Sequence, residues 1–296
     1  MIRSISSDAV LALWESTRCS RAVVEKAFDD VGCLPYIPPL DRYDCAREAA
    51  KAAVRECELH IPGSTIKYEA LGGGKCALEV VRKIKGEERN QWPHLFSLAL
   101  TRSDKRPDRL EIISCSEDAG PIHDSMDEAE DIINDCYHEA TATISAKDLT
   151  ESLVKLIRTE CRAVGMKSSG GTYFMAESKA DPYLSIADEL NKHGPELVIC
   201  KITLADNPTM VKQALSSVNS QIKAGLDRML DKAADLKSRG GRTRSNGNQS
   251  RVDEISHYIG LVKTYRKLLG HPMKEAIKAI RQAQAELGLE AIRNGL

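Results

Sequence analysis

The chain has 296 residues and a mass of 32.6 kDa, with 42% apolar and 29% charged residues. That is enough to bury the cores of two ordinary domains, and it lies outside the composition of disordered, collagen-like or membrane proteins. A formal net charge of -1 excludes the global basic excess of a whole-molecule nucleic-acid binder, so any such role must be regional. Aromatics are only 4% of the chain, which leaves a core of Leu, Ile, Val and Ala and favours helices.

Residues 7 to 57 are expected to be helical in up to three pieces. Ser7 precedes the apolar residues Val10, Leu11 and Trp14, a second stretch covers about Arg21 to Asp30, and LPYIPP at 34–39 interrupts before Asp41 caps a third. In that third piece Ala46, Ala49, Ala50, Ala53, Val54 and Cys57 share one face. From 64 to 115 the apolar period shortens to near 2. STIKYEAL, KCALEVVRKI, WPHLFSLAL and DRLEIISC, joined by short polar turns, predict a four-stranded antiparallel meander.

Ser125 to Glu128 has the spacing of a capping box and opens a helix with Met126, Ala129, Ile133, Cys136 and Ala140 on one side. Ser145 opens the next helix, which carries Leu149, Leu153, Leu156, Ile157 and Val164 and ends at Gly165. MKSSGGTYFMA then reads as a hairpin. Pro182 starts a short helix, and ELVICKITL at 196–204 a strand. Three long apolar stripes follow, from Val211 to Leu236, Val252 to Leu269 and Met273 to Leu287, with His271-Pro272 before the last. The expected fold is α+β and mainly helical, with domains at 1–145 and 146–296. The C-terminal helices pair within the chain or, as the alternative, with a second copy of it.

Charge is segregated. Between Leu110 and Ala146 there are ten acids and no Lys or Arg, whereas Lys201 to the C-terminus holds 17 basic and 9 acidic residues. Asp127, Asp131 and Asp135 recur every four residues, with Glu128 and Glu139 close by. Like charges at that spacing destabilise an isolated helix, so this face is the candidate for a protein partner. The second candidate is KSRGGRTRSNGNQSR at 237–251, where Lys237, Arg239, Arg242, Arg244 and Arg251 suit phosphates or an acidic surface in a flexible loop. No aromatic interrupts it, so base stacking is not indicated.

Catalytic and cofactor motifs are broken. GGGKC at 72–76 has Glu69 where a phosphate loop needs its first Gly and Cys76 where it needs Ser or Thr, and so reads as a turn. GxSxG, HExxH and an EF-hand loop are absent. Glu177-Ser-Lys179 has the E-x-K form of metal-dependent nucleases without a second carboxylate to complete the site. Nine cysteines, none closer than 12 residues to the next, form no zinc ribbon and fit small core hydrophobes in a reducing cytoplasm. No stretch approaches the ~20 apolar residues of a membrane helix. No metal, cofactor or membrane is therefore expected.

The order of helix, GGTYFMA at 170–176, short helix, strand and long C-terminal helices resembles uncharacterised proteins encoded by bacteriophages and related mobile elements, over roughly residues 146 to 270. Where those proteins usually show GGVYFVP, this chain has Thr172, Met175 and Ala176. The resemblance implies a mobile-element origin, a host-cell cytoplasmic setting and a role in host interaction or genome handling. It carries no catalytic residues across. The expected function is a non-enzymatic interaction protein that engages a host or viral complex, for instance to inhibit defence or nucleic-acid processing. Nucleic-acid binding by the 237–251 loop is the alternative, and a metal-dependent nuclease at Glu177 a third reading.

Overall fold

The structure, a computed structural model, describes residues 8–59, 64–70, 77–84, 92–103, 106–166, 171–204, 207–238 and 245–289. The first half of the chain contains β1 (Asp8–Glu15), β2 (Cys19–Ser20), α1 (Arg21–Asp29), α2 (Arg42–Glu56), β3 (Ser64–Ala70), β4 (Ala77–Ile84), β5 (His94–Ser103), β6 (Arg106–Cys115), α3 (Pro121–Asp124) and α4 (Met126–Ala142). The second contains β7 (Thr143–Ile144), α5 (Ala146–Thr159), β8 (Val164–Gly165), β9 (Tyr173–Ala176), α6 (Asp181–Leu190), β10 (Glu196–Thr203), α7 (Pro208–Ser238), α8 (Ser245–Leu269) and α9 (Lys274–Glu286). The fold is α+β with antiparallel sheets and a C-terminal group of long helices. Two compact units emerge, one of residues 19–24 and 38–145, the other of 1–18, 25–37 and 146–296. The N-terminal segment thus joins the C-terminal unit, which differs from the expected division at 145/146.

In the 38–145 unit the meander runs β3-β4-β5-β6, each strand antiparallel to the next. Its core face carries Leu78, Val80, Phe96, Leu98 and Leu110 against the alanine face of α2 and against Ile133 and Tyr137 of α4. Asp41 caps α2 as expected, accepting from the Tyr43 and Asp44 amides at 2.9 and 3.2 Å. The capping box at Ser125 does not form. α3 ends directly against α4, and Ser125 at φ -139°, ψ 62° makes no side-chain cap. Met126, expected on the buried side, is exposed.

β6 is an edge strand, and unpaired edges invite association with other strands. Here the edge is covered by side chains of α4. Asn134 Oδ1 accepts from Leu110 N and Asn134 Nδ2 donates to Leu110 O, both at 2.9 Å, so one amide side chain imitates a neighbouring strand. Glu130 Oε1 accepts from Ile112 N at 2.9 Å one ladder position on. The other unit repeats the device at its own edge, where Asn191 bonds both Leu197 N (2.7 Å) and Leu197 O (3.0 Å) on β10.

In that other unit the expected N-terminal helix is instead β1, central in a sheet ordered β10-β1-β9-β8. β1 pairs with β10 from Asp8↔Thr203 to Glu15↔Glu196 and with β9 from Ala9↔Ala176 to Ala12↔Tyr173. Ala9, Val10 and Ala12 are fully buried because both faces of the strand are covered, which makes the apolar run continuous and removes the alternation that marks a half-buried strand. On one face Ala9, Phe174 and Ala176 meet Val218, Ile222, Ile255 and Tyr265 of the long helices. On the other, Trp14 stacks on Tyr173 with ring centroids 5.2 Å apart.

α5 stops at Thr159, and Val164 and Gly165, placed at a helix end by the sequence reading, form β8 of the predicted hairpin. α7 packs within the chain on α8 and α9. α7 and α8 approach closely at Gly225, where a Cβ would stand 1.7 Å from Tyr258 Oη. Gly270, at φ 60°, ends α8 in the left-handed conformation that favours glycine.

Candidate interaction surfaces

The buried side of α4 explains why its outer side is acidic and still helical. Ala129, Ile133, Asn134 and Tyr137 are buried, and Glu130 is held between Ile112 N and the Arg109 guanidinium, 3.0 Å away. Asp127, Glu128, Asp131, Asp135 and Glu139 are all exposed. Among the described residues no cation pairs with Asp127, Glu128, Asp131 or Asp135. Four residues of helix advance ~6 Å, so Asp127, Asp131 and Asp135 form a ladder whose mutual repulsion costs a few tenths of a kcal/mol per pair. Asp127 and Glu128 gain some of this back from the helix N-terminus. The ladder continues towards α2. Burial pushes the Cys136 thiol upward, and the carboxylates of Glu56, Glu139 and Asp135 add to it against a smaller opposing effect of Arg55. Among the described residues no group of three or more His, Cys, Asp or Glu is placed to hold a metal ion.

The basic segment is only partly a loop. Lys237 lies in the last turn of α7, and residues 245–251, expected in the connection, form the first turns of α8. Helix continuity overrides the low propensity of SNGNQS, and Gln249 Nε2 donates to Asp253 Oδ1 at 2.9 Å along the new helix. Arg239, Arg242 and Arg244 lie outside the described residues, as does GGGKC at 72–76. Arg251 is half-buried, while Leu236 near the end of α7 is exposed. Glu177-Ser-Lys179 is a 3₁₀ turn and not a strand, and Glu177 Oε1 is bonded to Lys201 Nζ at 2.6 Å. Glu177 therefore does not sit on a strand, where the E-x-K form would place it, and its carboxylate is engaged by an exposed lysine. Among the described residues no helix is long and apolar enough to cross a membrane.

One constellation escaped the sequence reading altogether. Glu79 of β4, His94 of β5 and Ser114 of β6 meet on the open face of the meander, with Glu79 Oε1 3.3 Å from His94 Nδ1 and His94 Nε2 3.1 Å from Ser114 Oγ. Sequence separation gives no hint of it, because two register irregularities bring these side chains together. The signal that existed was weak: a histidine in one predicted strand and a serine in the next.

No curated protein and no solved structure matches the chain. A family model described as a family of unknown function (DUF6744) matches residues 73–293, well over half of the chain, and the protein belongs to that family.

Proposed function

We propose that the protein acts by binding another macromolecule, and that the outer face of α4 contacts a basic surface of a protein partner. The observation that carries this reading is the set of four exposed carboxylates, paired with no cation among the described residues, on a helix whose opposite side is fastened to a sheet edge. Such a row of fixed charges resembles a phosphate backbone in spacing and sign, so it suits a groove built for nucleic acid. The resemblance to bacteriophage and mobile-element proteins supplies the context, a host or viral complex whose defence or nucleic-acid-processing activity is blocked.

The test is fluorescence anisotropy of a labelled oligo-arginine peptide against the full chain and against Asp127→Lys/Asp131→Lys/Asp135→Lys. Three exposed pairs at ~0.5 kcal/mol each amount to ~1.5 kcal/mol, so the variant should bind about tenfold more weakly. Equal binding at every salt concentration removes the acidic face from the argument.

A second reading, nucleic-acid binding at the α7–α8 connection, is favoured by the exposed end of α7 leading into Arg239, Arg242 and Arg244. It predicts DNA or RNA affinity that falls steeply with salt and with those three arginines replaced by Ala. A flat salt response rejects it.

A further inference from the structure

We propose that Ser114 is a nucleophile activated by His94 and oriented through Glu79, and that it takes the acyl group of an activated carboxylic ester and passes it to water. This does not rest on the binding role of α4. The argument begins with sheet parity. In a regular strand, residues an odd number apart point to opposite faces, so His94 and Ser97 should be separated by the sheet. β5, however, carries an extra residue. Val80 pairs with Phe96 and Val81 with His94, which leaves Leu95 without an opposite number and returns His94 to the face of Ser97. β6 carries another. Ser97 pairs with Ser114 but Leu98 with Ile112, so Ile113 is extra, and Ser114 leaves the core-packed side of Ile112 for the open face. Bulges re-aim side chains, and two of them here aim at one point.

Glu79, Ser97 and Ser114 then form one row across three strands. At ~4.8 Å per strand the outer two are ~10 Å apart, too far to touch and about right for an imidazole laid between them. His94 occupies that space. Its Nε2 is 3.1 Å from Ser114 Oγ. Its Nδ1 is shut off from solvent, with Glu79 Oε1 3.3 Å away and off the line of an ideal hydrogen bond. The carboxylate at Nδ1 selects the tautomer that keeps its proton there, so the Nε2 lone pair is left to accept the Ser114 hydroxyl proton. Ser116 Oγ donates to the His94 carbonyl and fixes the backbone beneath the ring. Ser114 itself is exposed, and neighbouring Ile113, 57% exposed, offers an apolar contact for an acyl chain.

The chemistry balances without a metal or redox partner. Ser114 Oγ bonds to the acyl carbon as its proton passes to Nε2. Collapse of the tetrahedral adduct breaks the bond to the leaving alcohol, which takes that proton. Water then adds to the acyl carbon, giving a proton to Nε2, and cleavage of the Ser114 ester returns that proton to Oγ and releases the carboxylic acid.

The full chain is treated with an alkyl fluorophosphonate and, separately, with p-nitrophenyl acetate. The expected result is an adduct at Ser114 located by tandem mass spectrometry, a p-nitrophenolate burst equivalent to one per chain, and loss of both in Ser114→Ala, which changes only an exposed hydroxyl. His94→Gln should slow labelling about 100-fold or more. Glu79→Gln should slow it less, through the maximal labelling rate and not through the half-saturating reagent concentration, since the imidazolium formed as Ser114 attacks loses its carboxylate. No adduct at Ser114 in the native chain overturns the proposal, whatever the variants do. So does labelling of Ser114 at an unchanged rate in folded His94→Gln.

Discussion

Replacing Asn134 by Leu, which keeps the branched shape but not the amide, tests the claim that α4 serves the β6 edge as a substitute strand. Asn134 is 8% exposed and makes three hydrogen bonds, to Leu110 N and O at 2.9 Å and to Glu130 O at 2.7 Å. Leu110 is fully buried, so its amide and carbonyl have no water to turn to when the side chain is gone. An orphaned buried backbone group costs ~1–3 kcal/mol, and two of them, less the hydration gained by local opening, give an expected loss of about 3 kcal/mol. Urea denaturation reads the total as a lower midpoint at unchanged slope. Amide hydrogen exchange reads the mechanism, since protection at Leu110 and Ile112 should fall more than at Leu98 in the middle of the sheet. An uncovered β6 should also raise the tendency to associate. Unchanged protection at Leu110 together with an unchanged midpoint would refute the clamp.

Asn191→Ala should behave alike at β10, lowering stability by about 1–2 kcal/mol and exposing the Leu197 amide to exchange. Gly225→Ala should cost ~1–3 kcal/mol in urea, because the new Cβ would stand 1.7 Å from Tyr258 Oη and 2.5 Å from Cζ, in a tyrosine that is 6% exposed and donates to Glu254. A neutral result there would mean the two helices separate easily. Burial, opposed in part by a backbone hydrogen bond from Tyr183, pushes the Cys161 thiol from its ordinary 9.0 to about 12. A raised folded-state value means stability complete below pH 9 and lost as pH rises from 9 towards 12. Chemical denaturation across that window should therefore show a falling midpoint that Cys161→Ala makes shallower. Iodoacetamide near neutral pH should modify exposed Cys200 well before Cys161.

The elements with a clean local period were legible in the chain. The meander, the alanine face of α2 capped by Asp41, and the three C-terminal stripes all appear where apolar residues recur at 2 or 3.6, since each such segment has one buried and one wet side. β1 was not legible, because a strand covered on both faces loses its alternation, and its partners β9 and β10 lie more than 150 residues away. The capping spacing at Ser125 misled for a related reason: a cap needs a backbone angle, and α3 had already set that angle.

Charge and composition act along one dimension. The run of acids on α4 and the basic excess after Lys201 could therefore be counted before any fold was known. Which acids remain available is a three-dimensional matter. Glu130 is drawn onto the edge of β6 and Glu177 onto Lys201, while Asp127, Glu128, Asp131 and Asp135 face water. Glu79, His94 and Ser114 show the division most sharply, since every residue was visible in the chain, yet their meeting depends on two one-residue slips in strand pairing. A slip reverses the face to which a side chain points, and pairing register is settled by packing across the whole sheet and not by any residue's neighbours in sequence.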